Sequence, residues 1–210
     1  MAHASGPGKI VVATRLVNPH PVVAEIKRRY EESPPGYDGL RHPLGTRARF
    51  ADVAPESRIR AFRLADALFK AAEARGHAVT FAKDGEVVCV VAAGEPVRVG
   101  IHERSTRVSH VPTKVELRQR ERNPWVIIPE YDRRPTGELT FEVQNVGGAR
   151  ERWSEGKWWR QEDRIDALLD GIEEAARNLH ARRLEWEQRE RAWREAEERR
   201  AEEVRFRMTH

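Results

Sequence analysis

Cys89 is the one cysteine in 210 residues. It excludes an internal disulfide framework and leads us to expect a reducing, cytoplasmic setting. No apolar run is long enough to cross a bilayer, and residues 1–30 lack a signal-peptide core, so no membrane association is expected. Aromatic residues make up only 7% of the chain, although six of the fifteen are tryptophan. There is no glycine-rich phosphate cradle, no G-x-S-x-G elbow and no dinucleotide fingerprint. Helix-turn-helix, zinc-finger and RNA-binding signatures are missing as well. His102, Glu103, His110 and Glu116 carry ligand-capable atoms, but at spacings that match no helical metal motif and no closed cysteine-histidine site. Asp84, Glu86 and Glu142 with Lys114 supply the residue types of a metal-dependent nuclease without any spacing that gathers them, which leaves that activity the lowest alternative. The chain therefore offers no catalytic residue, and we expect no cofactor and no metal.

What the chain has in quantity is charge: 34% of its residues are charged against 39% hydrophobic, for a net charge of +4 and a pI of about 9.5. The balance is uneven. Residues 58–160 hold 19 basic against 14 acidic side chains, and residues 161–210 hold 11 against 14. An anion-binding face belongs on the middle region.

Three stretches follow from punctuation and periodicity: an extension over residues 1–49, an α+β body over 50–160 and a long helix over 161–210. In the first, IVVATRLV at 10–17 reads as a short strand. A helix then runs from Pro21 to Tyr30 with Asn18 as a weak cap, followed by an irregular loop packed by Tyr37, Leu40 and Leu44. The body opens on a helix whose core face is Ile59, Phe62, Leu64, Ala65, Leu68, Phe69 and Ala72, capped by Gly76. Strands are expected at 78–83, 86–92 and 96–105, the first two joined at Asp84-Gly85. Two more are expected at 123–132 and 136–145, separated by a turn at RRPTG. Turn signals at Gly147-Gly148 and Glu155-Gly156 precede the last helix. Cys89, inside EVVCVVA, reads as a buried small hydrophobe. The fold class is α+β: a small, mainly antiparallel sheet packed with one or two helices and followed by a long charged helix.

That last helix changes character along its length. Ile165, Leu168, Leu169, Ile172, Ala176 and Leu179 form an apolar stripe, after which glutamate and arginine dominate. Glu173 and Arg177, Glu185 and Arg189, Glu187 and Arg191, Glu190 and Arg194, and Glu195 and Arg199 stand four apart in the favourable order, each pair contributing ~0.2–0.5 kcal/mol. Trp186 and Trp193, a heptad apart, make residues 180–207 a candidate seam for a protein partner or a homodimer. The alternative is a solvated helix whose indoles cover neighbouring side chains. Arg183, Glu190 and Glu197 interrupt the stripe and disfavour a strict coiled coil.

Residues 104–122 concentrate Arg104, Arg107, Lys114, Arg118, Arg120 and Arg122 against Glu116 and Glu121. Ser105, Thr106, Ser109 and Thr113 add neutral donors. Such a set suits phosphate oxygens and positions a backbone without reading bases. Lys157 beside Trp158-Trp159 extends the same chemistry, although tryptophans at a strand-to-helix junction also serve to seal a core. Two readings stand: nucleic-acid association through the basic residues, or a scaffold subunit using the terminal helix. The basic segment also admits the plainer reading of a solvated loop and strand edge.

NPHPVVAEIKRR (18–29), RIRAFRLADALFKAAEARGHAV (58–79), YDRRPTGELTFEV (131–143) and WSEGKWWRQEDRI (153–165) together resemble the carboxy-terminal part of a group of largely uncharacterised bacterial proteins. Members of that group often carry an amino-terminal helical module resembling a DNA-binding domain, followed by a glycine-tyrosine-tryptophan-rich signature. Neither occurs in this chain. The resemblance implies DNA association in a bacterial protein and assigns no role to any residue.

Overall fold

The computed structural model describes residues 9–36, 39–44, 50–83, 85–144, 149 and 151–209. Tyr37, Asp84 and Gly147-Gly148, read above as loop packing and turns, lie outside them. The elements are α1 (Pro21–Glu32), β1 (Phe50–Asp52), α2 (Arg58–Ala74), β2 (Ala78–Phe81), β3 (Val88–Ala92), β4 (Glu95–Ser109), α3 (Lys114–Arg122), β5 (Tyr131–Gln144), β6 (Arg152–Ser154), a 3-10 turn (Gln161–Asp163) and α4 (Ile165–Thr209). The class is α+β. β2-β3-β4-β5-β6 form an antiparallel sheet in sequence order, and β1 adds in parallel to β4 beyond the end of β3.

One face of the sheet carries the apolar alternation Val88, Val90, Val97, Val99, Ile101, Leu139, Phe141 and Val143, all buried. Against it pack α1 through Val23, Ile26 and Tyr30, α2 through Phe62, Leu64, Leu68 and Phe69, and the first three turns of α4. These residues form one core that draws on the extension, the body and the long helix. Ile59 is the exception to the expected α2 face, standing 45% exposed. α2 ends in a Schellman motif: Gly76 takes φ +85°, its N–H reaches Glu73 O, and His77 N–H reaches Ala72 O.

Several local expectations are corrected. Residues 10–17 form no strand; Ile10 N–H instead donates to Asp166 Oδ1 at 3.0 Å. The cap of α1 is His20, whose Nδ1 accepts from Val22 N–H at 3.2 Å, while Asn18 sits at φ +47°. Residues 123–130 are a turn and irregular chain rather than a strand, and β5 runs straight through Arg133, Arg134 and Pro135, where a turn was expected. The reason is a bulge. Glu103 pairs with Leu139 and Ser105 with Pro135, so β5 spends four residues where β4 spends two. Gly137 takes φ +78° there, and Glu103 anchors the bulge by accepting from Gly137 N–H at 2.6 Å and Ala54 N–H at 2.8 Å.

At the junction before α4, Trp153 is buried, and its ring lies over Gly171 of α4, where an added Cβ would stand 2.7 Å from Cη2. Glu155 accepts from Leu139 N–H and Gln161 N–H and is gripped by Arg60, which also holds Glu162. Burial alone would raise the Glu155 carboxyl; Arg60 and the two amides bring it below the ordinary value instead.

Candidate nucleic-acid interface

Beyond the bulge neither β3 nor β6 accompanies β4 and β5. Ser105–Ser109 and Tyr131–Pro135 continue alone as a two-stranded ribbon, and α3 closes its outer end. We refer to residues 104–135 as the arm. No residue of α3 is buried. The basic segment thus holds a helix where the sequence suggested a loop and strand edge. The signal for it was present in Thr113 and Glu116: the threonine hydroxyl accepts from Glu116 N–H at 3.2 Å, and the glutamate accepts from Thr113 N–H at 2.7 Å. His110 braces α3 to the ribbon, with Nδ1 2.8 Å from Asp132 Oδ1 and Nε2 3.1 Å from Glu116 Oε2.

The candidate cations divide among several surfaces. Alternation places Ser105, Arg107 and Ser109 with Tyr131, Arg133 and Pro135 on one ribbon face, and Arg104, Thr106 and Val108 with Asp132 and Arg134 on the other. Arg104 faces away from Arg107 and pairs with Glu138 at 3.2 Å. On α3, Lys114, Arg118 and Arg122 are four residues apart and share a side, with Arg120 off that row. Lys157 is not on the arm. It lies on the tight turn bridged by Gly156 and Trp159, its ammonium 5.0 Å from the centre of the Trp158 ring.

Arg133 and Arg134 are missing from the sequence-derived set because Pro-Thr-Gly after them disguised a strand as a turn. Arg107 and Arg133 are direct cross-strand partners. Among the described residues, Arg107, Lys114, Arg118, Arg120, Arg122, Arg133 and Arg134 form no ion pair. In the distal half of α4, Arg189, Arg191, Arg194 and Arg199 each hold a glutamate one turn back, while among the described residues Arg200, Arg205 and Arg207 form no ion pair. Glu173, expected to pair with Arg177, turns to Arg75 at 3.1 Å and His77 at 2.9 Å.

Apolar groups accompany these cations. Trp125 is 89% exposed and Ile127 90%, with Val111, Val115 and Tyr131 also open to solvent. Trp153 seals the core, whereas Trp158 is 85% exposed. Trp186 and Trp193 project from α4 at 60% and 62% exposure.

The ligand-capable residues do not gather. His102 faces Glu142 at 3.9 Å, Glu103 holds the bulge, and His110 and Glu116 meet only as part of the brace. Among the described residues no group of three or more histidines, cysteines or carboxylates is placed to hold a metal ion. Nor is any helix among them long and apolar enough to cross a membrane. Compared with known proteins, the chain matches no family model, no curated protein and no solved structure.

Proposed function

We propose that this protein associates with nucleic acid through the arm, contacting the phosphate backbone without strong base specificity. The observation that carries the reading is the set of seven arm cations without an ion pair among the described residues. Two of them, Arg107 and Arg133, stand directly opposite each other on a two-stranded ribbon. Like charges so placed destabilise a strand pair, and a bound polyanion reverses the sign of that contribution.

The test is a binding titration of mixed-sequence DNA at several salt concentrations. Arg107→Gln with Arg133→Gln, and separately Arg118→Gln with Arg122→Gln, should weaken binding and lower the salt slope by roughly one to two units, because each neutralised phosphate contributes about 0.9. Folded variants with unchanged affinity and slope would reject the arm as the contact.

A second reading rests on a different observation. Trp186 and Trp193, both exposed and seven residues apart, suit a protein partner or a second copy of this chain on the distal half of α4. Its test is the truncation given in the Discussion.

A further inference from the structure

Resting on the arm as the contact, we propose that the nucleic acid it takes is single-stranded. One ribbon face brings cation and aromatic together. Arg107 opposes Arg133, and on the next rung of that face Ser109 opposes Tyr131. Arg107, Pro129, Glu130, Tyr131, Asp132 and Arg133 line an open cleft of about 470 Å³. Of its two carboxylates, Asp132 is held by His110 at 2.8 Å, and Glu130 accepts from the Tyr131 hydroxyl at 3.3 Å within the cleft. Tyr131 itself remains half-exposed.

Six residues before Tyr131, the chain presents Trp125 in the same exposed manner. Its backbone N–H donates to Asn123 Oδ1 at 3.1 Å, and the preceding Pro124 restricts the backbone, so the turn is fixed while the indole is left bare. A duplex keeps its base faces stacked against one another and offers such rings only sugar and phosphate. A single strand offers every π-face, and stacking on it tolerates any sequence. The hydroxyls of Ser105 and Ser109 stand on the same ribbon face as neutral donors beside the guanidinium groups. Cations without carboxylate partners and a half-exposed phenol ring therefore share one cleft, and an exposed indole lies six residues away along the chain, as a path for an unpaired strand requires.

The experiment uses the whole chain, with fluorescence anisotropy of labelled oligothymidylate, oligouridylate and a mixed-sequence duplex of equal length. One or both of the single strands should bind more tightly than the duplex, and their comparison distinguishes DNA from RNA. Trp125→Ala and Tyr131→Ala should each weaken single-strand binding about fivefold or more at an unchanged salt slope, because one stacked base is worth at least about that factor. Circular dichroism confirms that these surface variants are folded. Tighter binding to duplex, or single-strand affinity indifferent to both substitutions, overturns this inference and leaves the arm as a duplex contact. Failure of all three probes to bind overturns the arm reading itself.

Discussion

His110 sits between a carboxylate of β5 and one of α3, with a ring nitrogen within hydrogen-bond distance of each. The Asp132 hydrogen bond contributes most to lifting the imidazole above its ordinary value of 6.5; burial works against it, and Glu116 adds to the lift. Glu116 is itself held low, first by the amide and hydroxyl of Thr113 and then by His110. A group raised on folding stabilises fully below its unfolded value and loses that contribution as the pH climbs through the folded one. The brace should therefore be closed below about pH 6.5 and open on the alkaline side. Histidine ring resonances followed by NMR should show His110 titrating above 6.5, and Asp132→Asn should bring it back toward that value. Protection of the α3 amides should fall from acidic to alkaline pH in the native protein but not in His110→Gln. A native His110 titrating at or below its ordinary value would remove the brace from the account.

At the scale of elements, Gly171 tests how α4 is seated. A glycine inside a helix ordinarily gains roughly 1 kcal/mol on conversion to alanine. Here the new methyl would meet the buried ring of Trp153, so Gly171→Ala should destabilise by about 1–3 kcal/mol despite the better propensity. A thermal unfolding midpoint equal to or above that of the parent would show that the ring is free to shift.

The same element separates what could be read in the sequence from what could not. α2, the β2–β3 pair and α4 announce themselves because each carries a complete local signal: a periodic apolar face, a glycine stop, or a stripe of paired charges. The arm does not, because its strands and helix bury almost nothing and so carry no apolar period. In β5, Pro135 and Gly137 are the residues of a bulge, chemically indistinguishable from those of a turn. Its register is set by Glu103, a residue more than thirty positions away. The basic residues were visible as a composition, but that Arg104 and Arg107 point apart while Arg107 and Arg133 point together depends on strand pairing. Trp125 and Trp158 look the same in sequence as Trp153, and only packing separates the bare rings from the buried one.

The whole molecule is a packed body with two projections of different kind. In α4 the last buried residue is Ala176, and His180 and Arg183 still touch Glu95 at 3.4 and 2.6 Å. Beyond Arg183 the remaining ion pairs of the helix are internal to it. Its 45 residues amount to about 67 Å at 1.5 Å per residue, which carries the distal end well clear of the body. Truncation after Leu184 should leave cooperative unfolding intact, while Ile172→Ala in the proximal part should cost about 2–5 kcal/mol. Light scattering coupled to size separation, run on the full and truncated chains, decides whether Trp186 and Trp193 join copies: an equal number of chains per particle would end the self-association reading. Loss of cooperative unfolding on truncation would show that the distal half belongs to the fold.

The arm is built from the outer halves of the same two strands that occupy the middle of the sheet. A pull directed along the ribbon is delivered into the ladders that β4 shares with β3 and β5 shares with β6. Those hydrogen bonds lie across the line of force, so they bear it side by side instead of opening one after another. The body is thus coupled to the arm in shear, the loading geometry in which a small sheet yields last.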